Sequence, residues 1–226
     1  MLWGQKLVKR ELGLSFSRRL FSTEPPKKIK WNYLYGLNAV QASLTANRRI
    51  FSKLYLPLQE KDSSPKSNPR IEAIFRKATQ FGVKTKYVSK TKLTNLSGAK
   101  PHQNVVLKAS RTDYLAIRKI EDVEGLRNGE PLAPNQGRFY LLLDGITDPQ
   151  NFGSILRSAL FLGVDAIVVS KQEACGLTPA VSKVSSGALE LTPLFQVKFV
   201  RPFLEDAAKN YHFNIISTNI DDKSES

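Results

Sequence analysis

Residues 139–170 read FYLLLDGITDPQNFGSILRSALFLGVDAIVVS, and this stretch decides the fold. Phe139–Leu143 is an unbroken apolar run, the pattern of a strand covered on both faces, as in parallel sheets. Asp148 or Asn151 can cap a helix, Pro149 is tolerated in its first turn, and Gly163 suits its stop after Leu162. Ala166–Ser170 then supplies a second apolar run. Ligand sites in open α/β sheets lie beyond the carboxyl ends of strands, so the loop from Asp144 to Gly153 is where a site belongs. On the helix, Phe152, Ile155, Leu156, Ala159 and Leu160 fall on one face, towards the sheet. Ser154, Arg157, Ser158 and Phe161 form a second stripe, so Arg157 stands off the core. The spacing is not that of a Walker A loop, a GxGxxG turn or a hydrolase elbow.

Outward towards the amino terminus, residues 111–137 mix Gly, Pro and charge and read as a linker. Before it lies a compact α/β module over residues 33–110. Its expected elements are a helix at Asn38–Ala46, a strand at Ser52–Leu58, a helix at Ile71–Gln80 and a strand at Val83–Val88. A short helix at Lys90–Ser97 and a strand at Val105–Ala109 complete it, with a charged, Pro-containing loop over residues 59–70. Arg48, Arg49, Lys53, Arg76, Lys84 and Lys86 are its candidate phosphate contacts, and His102 is a loop element. Beyond residue 138 a second α/β unit is expected. Its strands are Phe139–Leu143, Ala166–Ser170 and Phe213–Thr218, with a weaker one at Leu194–Val197.

Composition narrows the chemistry. The 226 residues carry a formal charge of +14, with 34 Lys and Arg against 20 Asp and Glu. One cysteine, Cys175, and two histidines cannot build a zinc finger, a thiol redox pair or a disulfide frame, and no metal site is expected. No apolar run approaches the roughly 18 residues of a spanning helix, so no membrane role is expected. A surplus of this size favours nucleic acid, because neutralising phosphates and releasing counterions drives most of the affinity. Part of it belongs to residues 1–23, where five basic side chains face one acid amid recurrent serines and amphipathic leucines. That pattern reads as a mitochondrial transit peptide, followed by a basic linker at residues 24–32. The body keeps +10 after this +4 is removed from +14.

Taken whole, residues 144–159 (DGITDPQNFGSILRSA) closely resemble motif 1 of the SpoU/TrmH family, the RNA ribose 2′-O-methyltransferases of the SPOUT class. The resemblance continues through residues 161–170 and 177–188. It extends to the amino-terminal module, where Tyr35–Val40 and His102–Val105 resemble the opening and closing signatures of a ribosomal-protein-L30e-like substrate domain. Asn104 stands where the family usually has Gly, and Asn tolerates positive φ better than most residues. The resemblance implies S-adenosyl-L-methionine as cofactor and 2′-O-methylation of a guanosine in mitochondrial large-subunit rRNA, in the mitochondrial matrix, by a homodimer. It puts Asn151 and Arg157 at the catalytic positions. A guanidinium stays protonated, so Arg157 is assigned to gripping phosphate and stabilising alkoxide charge, and Asn151 to positioning Arg157 or the ribose.

Motifs 2 and 3 of that family, which thread a knot and build most of the cofactor pocket, have no counterpart before Ser226. The expectation is therefore an α/β chain with a complete L30e-like domain and an incomplete SPOUT (α/β-knot) domain over residues 138–226. It is expected to be truncated and inactive alone, with cofactor-binding residues unassigned. The alternative is a non-catalytic rRNA-binding or ribosome-assembly protein.

Overall fold

A computed structural model describes residues 29–58, 68–126 and 138–218. The expected transit peptide, the carboxyl-terminal tail and parts of both linkers and of the 59–70 loop lie outside these residues.

The first unit contains β1 (Trp31–Tyr35), α1 (Leu37–Ala46), β2 (Phe51–Pro57), α2 (Pro69–Gln80), β3 (Lys84–Val88), α3 (Lys90–Leu96) and β4 (Val106–Ser110). Its four strands lie in the order β1-β4-β2-β3, with β2 and β3 parallel and the other pairs antiparallel. Leu34, Leu54, Leu56 and Leu107 pack on Val40 and Leu44 of α1 and Ile74 of α2. On the opposite face, among the described residues, α3 packs through Leu93 and Leu96. β1 was not expected, and it pairs Trp31 and Asn32, read as linker, into the sheet.

The second unit holds β5 (Leu115–Ile117), α4 (Ile120–Leu126), β6 (Tyr140–Leu143), α5 (Pro149–Leu162), β7 (Ala166–Ser170), α6 (Pro179–Val184), α7 (Ala188–Leu191), β8 (Leu194–Val197) and α8 (Val200–Tyr211). Its sheet is wholly parallel, in the order β5-β8-β7-β6. Phe152 and Leu156 of α5, with Val181 and Leu189, cover one face. Ile120 and Val123 of α4, with Phe203 and Ala207 of α8, cover the other. β7 is buried throughout, as its unbroken apolar run requires.

Three expectations need correction here. Leu194–Val197 is no minor strand but an interior one, paired on both sides. Leu115–Ile117 and α4 fall inside the segment read as linker; a three-residue strand is too short to show periodicity, and its partner lies far along the chain. Phe213–Thr218 is not a strand. Phe213 stacks on Tyr140 at 5.1 Å, and beyond it no strand among the described residues pairs with the chain, leaving Ile216 88% exposed.

Candidate active-site turn and inter-unit clamp

The turn after β6 is built as its sequence suggests. Gly145 adopts φ +67°, where a side chain would be strained, and its N–H donates to Ser170 Oγ at 3.4 Å. The Ile146 carbonyl accepts from Cys175 N at 3.2 Å, and Tyr114 Oη donates to the Cys175 carbonyl at 2.6 Å. Three segments therefore hold the turn from behind: the end of β7, the strand-free Cys175 region and the approach to β5. Burial pushes the Tyr114 hydroxyl well above its ordinary range. Burial, helped by Asp148, also raises the Cys175 thiol, so this cysteine is a packing residue and no nucleophile.

Asp148 is the N-cap of α5, its carboxylate accepting from Asn151 N at 2.7 Å, with Pro149 at the first position. The cap uses only the backbone of Asn151, whose side chain stays exposed. Arg157 is exposed too, on the stripe with Ser154, Ser158 and Phe161, and among the described residues it makes no hydrogen bond or ion pair. Six positions separate it from Asn151, about 9 Å along the axis and on different faces. The helix does not bring these two side chains together.

α5 sits against α6 with no room for a Cβ at Gly153, where one would meet Val184 Cγ1 at 2.7 Å. α6 and α7 in turn dock on the first unit. Glu190 of α7, 3% exposed, takes a bidentate grip from Arg49, with Nε at 2.7 Å and Nη2 at 2.8 Å. Ser182 Oγ donates to the same carboxylate at 2.8 Å, and Arg49 Nη1 donates to the Ser110 carbonyl at 2.9 Å. Arg48 donates to the Thr192 and Leu191 carbonyls at 3.0 and 3.1 Å. On the other side of α1, Lys183 Nζ donates to Gln103 Oε1 at 2.6 Å, which also accepts from Leu37 N at 3.1 Å.

Gln103 and Asn104 reach this position through φ of 52° and 63°, and His102 Nδ1 accepts from Asn104 N to hold the turn. Gly36 and Gly187 permit the close approach: a Cβ at Gly187 would meet Ala42 Cβ at 2.5 Å.

The six candidate phosphate contacts therefore divide. Lys53, Lys84 and Lys86 lie exposed on the first sheet, and Arg76 is exposed on α2, across the core from them. Arg49 is 5% exposed and committed to Glu190, and Arg48 caps α7 carbonyls. Arg49 is shut off from solvent and half-buried Arg48 is turned to these carbonyls, so the two form a clamp between the units and not a phosphate face. Sequence reasoning missed Glu190, Gln103 and Lys183. The signal for Glu190 was present, as it is the only acid between Glu173 and Glu205.

Two cavities lie between the units, one lined by Arg48, Leu177, Glu190 and Leu194 and the other by Asn38, Gln41, Thr45 and Ser186. Among the described residues no three His, Cys, Asp or Glu side chains group as a metal site, and no helix is long and apolar enough to cross a membrane.

Comparison with known proteins matches both units. Residues 138–226 match the sequence model of the SpoU rRNA Methylase family, and residues 33–115 match that for RNA 2′-O ribose methyltransferase substrate binding. The 23S rRNA (guanosine-2′-O-)-methyltransferase RlmB of Shewanella oneidensis is 34% identical over 168 residues, covering 74% of this chain and 63% of that protein. The mitochondrial rRNA methyltransferase 1 of Schizosaccharomyces pombe is 30% identical over 215 residues, covering 88% of this chain and 67% of its own length. The chain thus spans about two thirds of these relatives. An AdoMet-bound rRNA methyltransferase from Sinorhizobium meliloti shares the fold, with a TM-score of 0.56 at 18% identity, over 79% of this chain and 58% of that one.

Proposed function

This chain belongs to the SpoU rRNA Methylase family, and from that premise we propose that the protein methylates the 2′-hydroxyl of a guanosine ribose in mitochondrial large-subunit rRNA, using S-adenosylmethionine. The observation that carries the reading is the exposure of Asn151 and Arg157, without partners among the described residues, on the helix that follows the β6 turn. An arginine held by none of the described residues is available to an anion.

A ribose hydroxyl is a weak nucleophile near neutral pH, so developing negative charge on its oxygen must be stabilised. Arg157 does this as a permanent cation, and it grips the adjoining phosphate through its fork of donors. It does not take the proton. Asn151 stands a turn and a half away, so its amide acts on the ribose or the base rather than on Arg157. The cofactor supplies an electrophilic methyl when bound.

The mitochondrial matrix and a homodimer belong to the same reading. The named mitochondrial relative and the basic residues 1–23 support the first. Phe161 and Leu162, 78% and 70% exposed at the end of α5, support the second as apolar surface awaiting a partner.

The test is to disrupt the gene in its own organism and map 2′-O-methylation across mitochondrial large-subunit rRNA. One guanosine losing its methyl group is the expected result. An unchanged map overturns the reading.

A further inference from the structure

Among the described residues the first sheet has one covered face and one largely open, and the open face is chemically unusual. The strand registers align Tyr33 of β1 with Lys108 of β4, Lys108 with Lys53 of β2, and Lys53 with Lys84 of β3. Residues in register share a face, so a tyrosine and three lysines form one row across all four strands. Neighbouring strands lie about 4.8 Å apart, which makes the row roughly 14 Å long. Like charges directly opposite each other destabilise a sheet. None of the three lysines has an acidic partner among the described residues, and the strands of this sheet contain no Asp or Glu.

Aromatic rings flank the row on both sides. Trp31 lies beyond it on β1, with Lys108 Nζ 5.1 Å from the ring centroid. Tyr55 lies on the other side, its ring centroid 6.3 Å from that of Tyr33. All three rings are half-buried, and Lys53 and Lys84 are exposed. Among the described residues α3 packs on the Tyr35, Val88 and Val106 end of this face, and Tyr33 and Tyr55 border that cluster.

We propose that this open face is a platform for single-stranded RNA, with backbone phosphates on the Lys108–Lys53–Lys84 row and bases stacked on Trp31, Tyr33 and Tyr55. The choice of RNA as the polyanion rests on the rRNA reading above; the single-stranded form rests on the surface itself. A flat sheet carrying ring faces beside cations grips splayed bases, because every base has a face to stack. Bases inside a duplex are already stacked and cannot use those rings. The lysine row explains its own cost: a repulsion that no acid among the described residues compensates is relieved when phosphates occupy it.

The experiment is fluorescence anisotropy of the full chain with a labelled 12-nucleotide single-stranded RNA of mixed sequence, titrated at several salt concentrations. Combined Lys53→Gln, Lys84→Gln and Lys108→Gln is expected to weaken binding at least tenfold and to flatten the log–log salt slope by about 2, at about 0.7 per phosphate contact. Trp31→Leu with Tyr33→Leu is expected to weaken binding about five- to thirtyfold with the salt slope unchanged. Removing three cations elsewhere, by Arg118→Gln, Arg201→Gln and Lys209→Gln, is expected to change binding by less than twofold.

The lysine variant should melt no lower than the parent, which separates lost binding from lost folding. Absence of binding by the parent overturns the proposal. So does an effect of the lysine variant no larger than that of the control, competition by poly-glutamate as strong as by RNA, or a duplex bound through the same rings. Methylation mapping reads the α5 chemistry instead, so either conclusion can fail while the other stands.

Discussion

Arg49 and Lys53 stand four residues apart in one basic segment, yet the fold gives them opposite fates. Arg49 is buried, its guanidinium closed on Glu190 across the boundary between the units. Lys53 is exposed between two other lysines, with no acid among the described residues to answer it. In the sequence both count equally towards +14. A cation's role is set by where its counter-charge lies. For Arg49 that charge is 141 positions away in the same chain; for Lys53 it belongs to another molecule.

The comparison breaks most visibly at Glu190. Glu190→Ala strands a buried guanidinium and is expected to cost about 3–5 kcal/mol, read by chemical denaturation. Joint replacement, Arg49→Met with Glu190→Leu, is expected to recover most of that loss. If the single variant is as stable as the parent, the clamp is not structural.

Next in size is Gly187→Ala. The added methyl meets Ala42 Cβ at 2.5 Å and Asn38 O at 2.9 Å, at a φ of +89°. A loss of about 1–3 kcal/mol is expected, with a lower melting temperature. A neutral result shows that the units do not pack as tightly as described.

A smaller effect concerns pH and the wall behind the β6 turn. The Tyr114 hydroxyl is raised in the fold, so its contribution to stability is complete below the ordinary tyrosine pKa and is lost as pH rises past it. Melting temperature is therefore expected to fall as pH rises above about 10. Tyr114→Phe is expected to flatten that fall, although it gives up the bond to the Cys175 carbonyl at every pH. Equal slopes in parent and variant contradict the assignment.

The smallest effect lies on the open sheet. Lys53→Gln relieves two like-charge contacts and is expected to raise stability by about 0.2–1 kcal/mol at low salt, vanishing at high salt. Destabilisation would mean that Lys53 has an acidic partner after all.

How much of this could be read from the chain follows the range of each interaction. The βαβ stretch from β6 to β7 was legible, because apolar runs, the Asp148 cap and the Gly163 stop are local signals. The outward stripe bearing Arg157 was legible for the same reason, since helical period alone sorts the faces. β5 was not, because three residues carry no period and its pairing depends on β8. Phe213–Thr218 has strand-like composition, but composition cannot show whether a neighbouring strand pairs with it, and none does among the described residues. The lysine row was half legible: Lys53 and Lys84 stood out as cations, whereas the registers that set Lys108 and Tyr33 beside them exist only in the folded sheet.

The central claim is that Arg157 serves an RNA substrate while Arg49 serves the fold. The most direct measurement is 2′-O-methylation mapping of mitochondrial large-subunit rRNA in cells whose only copy of the gene carries Arg157→Ala. The account predicts that the target guanosine loses its methyl group while protein abundance and melting temperature stay at parental levels. A guanosine still fully methylated in those cells would contradict it.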